Sequence, residues 1–127
     1  MKIIKEWAKL LAESEHYYIL GEYEELSLYR KEDNVYLSSI GHHYGDPAAA
    51  MIDKNEKFCI SVGCGVIVYR LKEPFDVYQY REKTDQWYEF GRGPENIDWI
   101  KDVVQVSDTE VELTDENGQK RLMKVIL

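Results

Sequence analysis

The sequence contains few of the residues on which common functional sites depend. Among 127 residues there are only two cysteines, three histidines and three prolines. Two cysteines do not make a disulfide framework. The chain also has no phosphate loop, dinucleotide fingerprint, nucleophile elbow or His-Glu-x-x-His helix. The motifs therefore support neither a catalytic function nor a bound cofactor.

A long hydrophobic run is missing as well. Three lysines occur among the first nine residues, but no extended apolar stretch follows them. A signal peptide and a transmembrane span are both unsupported. We therefore expect a cytoplasmic protein that does not enter a membrane.

Basic residues are outnumbered, 16 against 24 acidic ones, so the formal net charge is −8. Such a chain repels nucleic acid and anionic membranes, and it is steered towards basic partners. The same charge also serves simple solubility, so it indicates a class of partner without proving one. Nothing in the sequence defines the oligomeric state.

The most β-prone stretch is the apolar run of residues 58–71. As one strand it would span roughly 46 Å, which is too long for a usual strand. We expect Gly63 and Gly65 to mark a bulge, bend or turn that divides it. Even-numbered residues from Phe58 would share one face and odd-numbered residues the other. Cys59 and Cys64 are expected to be buried free thiols.

The remaining pattern predicts one α+β domain covering residues 1–127. Residues 2–14 place apolar side chains at helical spacing and predict an amphipathic helix. Some eight short strands follow, and residues 97–106 suit one or two helical turns running into a strand. Hairpins are predicted around the polar turn at 31–34 and the Asn-Gly step at 117–118. Further strands are expected at 48–52, 75–80 and 87–90. The predicted fold is thus an N-terminal helix packed on a mostly antiparallel, strongly curved sheet, like a half-barrel or sandwich.

One candidate ligand site is the loop of residues 41–47, Gly-His-His-Tyr-Gly-Asp-Pro. Histidine in such a loop can act as a base or a metal ligand. A cysteine beside it can act as a nucleophile. The ligand spacing matches no recognised metal site, so solvated loop histidines are the simpler interpretation, and no metal is expected. The residues of this alternative site are His42, His43, Asp46 and Cys64.

Charge distribution gives a second candidate. Residues 95–116 contain eight acidic residues and only one basic one, Lys101, and residues 13–33 contain seven against two. Tyrosine and tryptophan lie beside both clusters, and such a mixture suits an interface with a basic protein. The alternative is a solvated acidic face with aromatic residues in the core. The predicted partner-binding residues are Trp87, Tyr88, Asp98, Trp99, Asp102, Glu110 and Glu112.

The segment from Gly45-Asp-Pro-Ala through Ile52-Asp to Val62-Gly-Cys-Gly-Val-Ile-Val-Tyr resembles segments in small bacterial proteins of toxin–immunity loci. The similar part covers about a fifth of the chain. The resemblance implies a cytoplasmic protein that binds and blocks a cognate toxin, often a nuclease, without catalysis of its own. It transfers no individual residue roles.

Two hypotheses follow from the sequence. The first is an immunity-type inhibitor that masks a basic toxin through an acidic, aromatic surface. The second is a small-molecule- or metal-binding β domain, or a minor enzyme, that uses the loop 41–47 and Cys64. A deep pocket at that loop favours the second, whereas a flat acidic face with aromatic residues favours the first.

Overall fold

The computed structural model describes residues 7–82 and 84–127, and this part of the chain forms eleven strands and no helix. The strands are β1 Ala8–Glu13, β2 Tyr17–Glu22, β3 Glu25–Arg30, β4 Val35–His42, β5 Ala49–Ile52, β6 Phe58–Gly63, β7 Gly65–Arg70, β8 Trp87–Phe90, β9 Ile100–Gln105, β10 Glu110–Asp115 and β11 Lys120–Lys124. The described fold is therefore all-β, and the prediction of an α+β fold was wrong.

The strands form three antiparallel sheets instead of one curved sheet. Sheet 1 has the order β1-β2-β3-β4, sheet 2 the order β5-β6-β7-β8, and sheet 3 the order β11-β10-β9. All neighbours within a sheet are antiparallel. The short connections that were read as turns, including the Asn-Gly step before β11, join strands that pair directly.

The helix predicted over residues 2–14 is a strand where it is described. Residues 2–6 lie outside the described residues, and Ala8–Glu13 pairs with β2. The register shifts between Leu10 and Ala12, so Leu11 is an extra residue in the ladder. A bulge interrupts the two-residue alternation of a strand. At the bulge, two adjacent residues, Leu10 and Leu11, are apolar, and this departure from alternation resembles helical spacing.

Two further elements differ from expectation. Residues 97–106 contain no helical turn, since Ile100–Gln105 is strand β9. Residues 75–80 form no strand and connect β7 to β8 as a loop. This loop is held by the backbone N–H of Tyr78, which donates to the Ser39 carbonyl, and by Ser38 Oγ, which donates to the Asp76 carbonyl.

The run of residues 58–71 is the centre of the molecule. It reverses at Cys64, with Gly63 opposite Gly65, as its glycines predicted. Its even-numbered residues pack against sheet 3 in a cluster that includes Val103, Val111 and Leu113. Its odd-numbered residues, Cys59, Ile67 and Tyr69, pack against sheet 1. Sheet 2 is thus buried on both faces, which explains the uninterrupted apolar sequence.

Gly65 allows this reversal to sit beneath the segment that follows β8. Its φ of +79° lies in the left-handed region, which favours glycine. A Cβ atom at this position would lie 2.6 Å from the Phe90 carbonyl oxygen and would also overlap Arg92. Both cysteines are buried free thiols, as expected from the sequence. Burial raises the pKa of the Cys59 thiol.

Candidate functional site

The hairpin between β2 and β3 carries a concentration of negative charge at one end of sheet 1. Glu22 and Glu25 face each other across the hairpin, and Tyr23 and Glu24 form the turn between them. Like charges directly opposite one another destabilise a strand pair. Tyr23 is 72% exposed. We call these four residues the acidic tip.

The Tyr23 backbone adopts the left-handed conformation that the first position of a two-residue β-hairpin turn requires. Its φ is +57°, in the left-handed region that costs an ordinary L-residue roughly 1–2 kcal/mol. Among residues 7–82 and 84–127, no hydrogen bond or ring contact holds its side chain. The turn accounts for the backbone conformation, and the exposed ring remains accessible to a partner.

Strand alternation places Tyr29 and Tyr36 on the same face of sheet 1 as Glu22 and Glu25, beyond the buried residues Leu20 and Tyr18. Tyr29 and Tyr36 are cross-strand partners with ring centroids 5.7 Å apart, and Tyr36 is about half exposed. Burial raises the pKa of both hydroxyls, and the carboxylate of Glu22 raises them further. Glu25 also raises the pKa of Tyr36. The carboxylates of the tip therefore act electrostatically on both tyrosine hydroxyls.

Glu24 ties the acidic tip to the predicted loop of residues 41–47. Its carbonyl accepts from the backbone N–H of His43 at 2.8 Å, and its Oε2 accepts from that of Gly45 at 2.6 Å. The same side chain lies 3.6 Å from the exposed His42 ring. Gly45 and Asp46 both have positive φ values, +77° and +73°, so the loop turns sharply here. The loop is consequently built into the same surface as the tip.

Arg92 holds this loop from below. Its Nη2 donates to the His42 carbonyl at 2.5 Å, and its Nη1 donates to the Cys64 carbonyl at 2.7 Å. Its Nε forms a buried ion pair with Glu89, 2.7 Å from Oε1. The Tyr78 hydroxyl donates to that same oxygen at 2.5 Å. The guanidinium therefore joins β8, the β6–β7 reversal and the end of β4.

His43 completes the network and is fully buried. Its Nε2 lies 2.9 Å from Ser61 Oγ, and its Nδ1 lies 3.2 Å from Arg92 Nη1 and 3.3 Å from the Cys64 carbonyl. Because arginine can only donate, we assign the lone pair to Nδ1 and the proton to Nε2. Burial, and then the Arg92 charge, lower the pKa of His43 to about 3. It is a neutral structural residue at pH 7, not the solvated loop histidine that the sequence favoured.

The geometry does not favour nucleophilic catalysis by this network. A histidine base needs a carboxylate or another acceptor that stabilises its protonated form. Here Nδ1 faces a cation, and Ser61 is buried. Cys64 is also buried and contributes its backbone carbonyl to the network.

The predicted ligand residues do not come together at a common site. His42 and Asp46 are exposed, whereas His43 and Cys64 are buried. Within residues 7–82 and 84–127, no group of three or more His, Cys, Asp and Glu side chains is arranged to hold an ion.

The same residues include no helix that is long and apolar enough to cross a membrane.

A cleft of about 370 Å³ opens beside the acidic tip, between β1, β2 and the loop. Its lining combines aromatic, apolar and charged residues: Trp7, Lys9, Leu11, Gly21, Tyr23, Asp46 and Pro47. Gly21 forms part of the floor, where a Cβ atom would lie 2.8 Å from Leu11 Cδ1 and 3.6 Å from Pro47 Cγ.

The residues predicted as an acidic, aromatic surface are divided between different places. Trp87 is only 4% exposed and stacks on Tyr69 at 6.1 Å, so it belongs to the core. Tyr88 is half-buried on the opposite face of β8, and its hydroxyl accepts from the Ile126 backbone N–H at 3.0 Å. Consecutive strand residues point to opposite faces, so these two cannot form one patch.

The acidic members of that set lie on or near sheet 3, where cations accompany them. Asp102, Glu110 and Glu112 alternate with buried residues and lie on its outer face. Strand β11 adds three basic residues, Lys120, Arg121 and Lys124. Lys120 Nζ lies 3.5 Å from Glu112, and Arg121 lies 3.1 Å from Asp98. Trp99 is partly exposed next to Asp98, so this face is mixed in charge rather than strongly acidic.

Sequence reasoning missed Arg92, Glu89 and Ser61, and it covered the acidic tip only as part of the acidic cluster of residues 13–33, outside the predicted partner-binding residues. Four consecutive residues, Glu-Tyr-Glu-Glu, carry a usable signal, because tyrosine flanked by acids at a hairpin turn is an unusual choice. The contacts of Arg92 with the Cys64 and His42 carbonyls give no local signal, since they lie 28 and 50 residues away, and only its ion-pair partner Glu89 is close in sequence.

No protein-family model matches the chain, and no curated protein does either. The resemblance to proteins of toxin–immunity loci therefore remains a prediction.

Proposed function

We propose that the chain is a cytoplasmic immunity-type inhibitor that binds and masks a basic protein, such as a toxin with nuclease activity, through the acidic tip and the adjoining tyrosines. The observation that carries the proposal is the acidic tip itself. Three carboxylates and a strained, exposed tyrosine occupy one short hairpin. A basic partner would relieve the repulsion between Glu22 and Glu25.

The surroundings suit this role in two ways. Tyr36 and Tyr44 add exposed aromatic area near the carboxylates, and aromatic residues supply most interface hot spots. The loop beneath is held by Glu24, Arg92 and the buried His43. A rigid surface loses less conformational entropy on binding than a mobile one.

Paired baits test the proposal. The full chain, a Glu22→Lys/Glu25→Lys variant and a Glu110→Lys/Glu112→Lys variant would be used to capture proteins from cells of the source organism. Since Glu22 and Glu25 face each other, changing both keeps the like-charge pair and isolates the sign of the charge. The second variant makes the same change on sheet 3.

The expected result is one basic protein that the wild type and the sheet 3 variant retain and the tip variant loses. That protein, once purified, must bind the wild type directly and lose its activity on stoichiometric addition. Equal recovery on all three baits, or loss on the sheet 3 variant alone, would remove the acidic tip as the interface.

A further inference from the structure

The cleft beside the acidic tip has the chemistry of a site for one cationic side chain. Tyr23 provides an aromatic wall, Trp7 lines the same space, and Asp46 provides a carboxylate. Aromatic faces attract cations, and a guanidinium can stack on a ring while it pairs with a carboxylate. We propose that this cleft binds an arginine side chain of the basic partner, with the guanidinium on the Tyr23 ring and paired with Asp46. The inference rests on the proposed function.

Asp46 is available for such a pair. Among residues 7–82 and 84–127, its carboxylate forms neither a hydrogen bond nor an ion pair, and the residue is exposed. Its position is fixed, because the neighbouring Gly45 N–H donates to Glu24 Oε2 at 2.6 Å. The carboxylate is therefore presented on a constrained turn.

Tyr23 supplies the second, independent indication. Glycine, asparagine or aspartate usually occupies the left-handed position of a hairpin turn, so tyrosine is an uncommon choice there, and no hydrogen bond or ring contact within the described chain holds its side chain. Asn34 and Asp46 are residue types that tolerate this conformation. Glu56 and Arg81 share it, but the Glu56 carboxylate accepts from the His16 backbone and Arg81 donates to the Gly93 carbonyl. Tyr23 has no comparable bond within the described chain.

The size and floor of the cleft suit a slender side chain. Leu11 and Pro47 pack against Gly21 and line the cleft, so they provide apolar groups against which the methylene stem of an arginine can lie. Lys9 also lines the cleft and opposes a cation. It is exposed and its stem is flexible, so it can move aside, and Lys9→Gln is expected to tighten binding.

A short peptide tests the site separately from the unidentified partner. The isotope-labelled full chain would be titrated with acetyl-Gly-Arg-Gly-amide at low salt and followed by NMR. The matched probe is the same peptide with citrulline, which has nearly the same shape and no charge. A lysine peptide tests whether the planar guanidinium matters.

The expected result is a saturable shift of the Trp7 indole, the Tyr23 ring and the Asp46 amide with the arginine peptide only. Asp46→Asn and Tyr23→Asn should each weaken binding by about three- to fivefold. Asp102→Asn, an exposed carboxylate on sheet 3, should leave it unchanged. Equal binding of the citrulline or lysine peptide, unsaturable shifts spread over the acidic residues, or no effect of Asp46→Asn would overturn the inference.

The two proposals fail in distinguishable ways. If the arginine peptide does not bind while the partner still depends on Glu22 and Glu25, the cleft assignment is wrong and the proposed function stands. If the peptide binds as expected but charge reversal of the tip leaves partner capture unchanged, the cleft binds arginine and the acidic tip is not the interface.

Discussion

Nη1 of Arg92 lies 3.2 Å from Nδ1 of His43, so a buried cation faces the histidine at which the β4–β5 connection begins. The contact is possible because His43 stays neutral. Ser61 accepts its proton at the other ring nitrogen, and Glu89 balances the arginine. The network joins the β6–β7 reversal to the loop that contacts the acidic tip.

Acid should destabilise the protein through His43. The folded-state pKa is lowered to about 3, against an ordinary value of 6.5. Below pH 6.5 the His43 ring becomes protonated in the unfolded chain but stays neutral in the folded chain until the pH approaches 3. The stabilisation is thus complete above pH 6.5 and is lost as the pH falls towards 3, by up to about 1.4 kcal/mol per pH unit.

Urea unfolding of the wild type and His43→Gln at pH 7 and pH 4.5 measures this component. The variant should be less stable at pH 7 but lose less stability on acidification. His42→Gln, at an exposed ring, should follow the wild type. Parallel pH profiles for the wild type and His43→Gln would show that the buried ring does not act in this way.

Arg92→Met should be strongly destabilising. It removes the cation from a Glu89 side chain that is only 13% exposed and leaves two backbone carbonyls without their donor. Breaking a buried pair on one side costs about 3–5 kcal/mol. Arg30→Met, which removes an exposed pair with Asp33, is the control and should cost much less. Similar losses in the two variants, measured by chemical denaturation, would argue against the network.

Gly65→Ala should cost more than Gly45→Ala, although the two glycines have nearly equal φ values of +79° and +77°. An added Cβ meets no atom within 4 Å at Gly45 but overlaps the Phe90 carbonyl and Arg92 at Gly65. Backbone strain alone accounts for roughly 1–2 kcal/mol in each variant. Overpacking adds about 1–3 kcal/mol at Gly65 only. Equal unfolding free energies would mean that the segment after β8 moves aside freely.

Tyr23→Asn should change stability and binding in opposite directions. Asparagine tolerates the left-handed conformation, so the unfolding free energy should rise by roughly 0.5–1 kcal/mol. Partner affinity should fall, because the exposed ring is lost. A clear loss of stability in thermal unfolding would instead show that the ring supports the fold.

Much of sheet 2 was predictable because its signals are local. Alternation within residues 58–71, the two glycines and the turn residues before Phe58 all act over a few positions. Strand β5 at Ala49–Ile52 and the hairpin after β10 followed from similar signals. Strand β1 was missed because the bulge at Leu11 changes the period of the apolar residues.

The site was less predictable because its contacts are distant in sequence. The acidic residues at 95–116 look unbalanced in the sequence, but β11 pairs with β10 and places three basic residues beside them. The alternation at residues 75–80 imitates a strand, yet Tyr78 is buried against Trp87 as an anchor of a loop. Contacts between residues distant in sequence decide both cases, so a short stretch of sequence predicts neither the charge of sheet 3 nor the loop at residues 75–80.

The affinity of the purified partner for two forms of the chain decides whether the acidic tip is the interface. Isothermal titration at low and at physiological salt would compare the wild type with Glu22→Lys/Glu25→Lys. We expect the variant to lose affinity by at least about tenfold, equivalent to ~1.4 kcal/mol, and to lose more at low salt. Equal affinity of the two forms at both salt concentrations would show that the acidic tip does not form the interface.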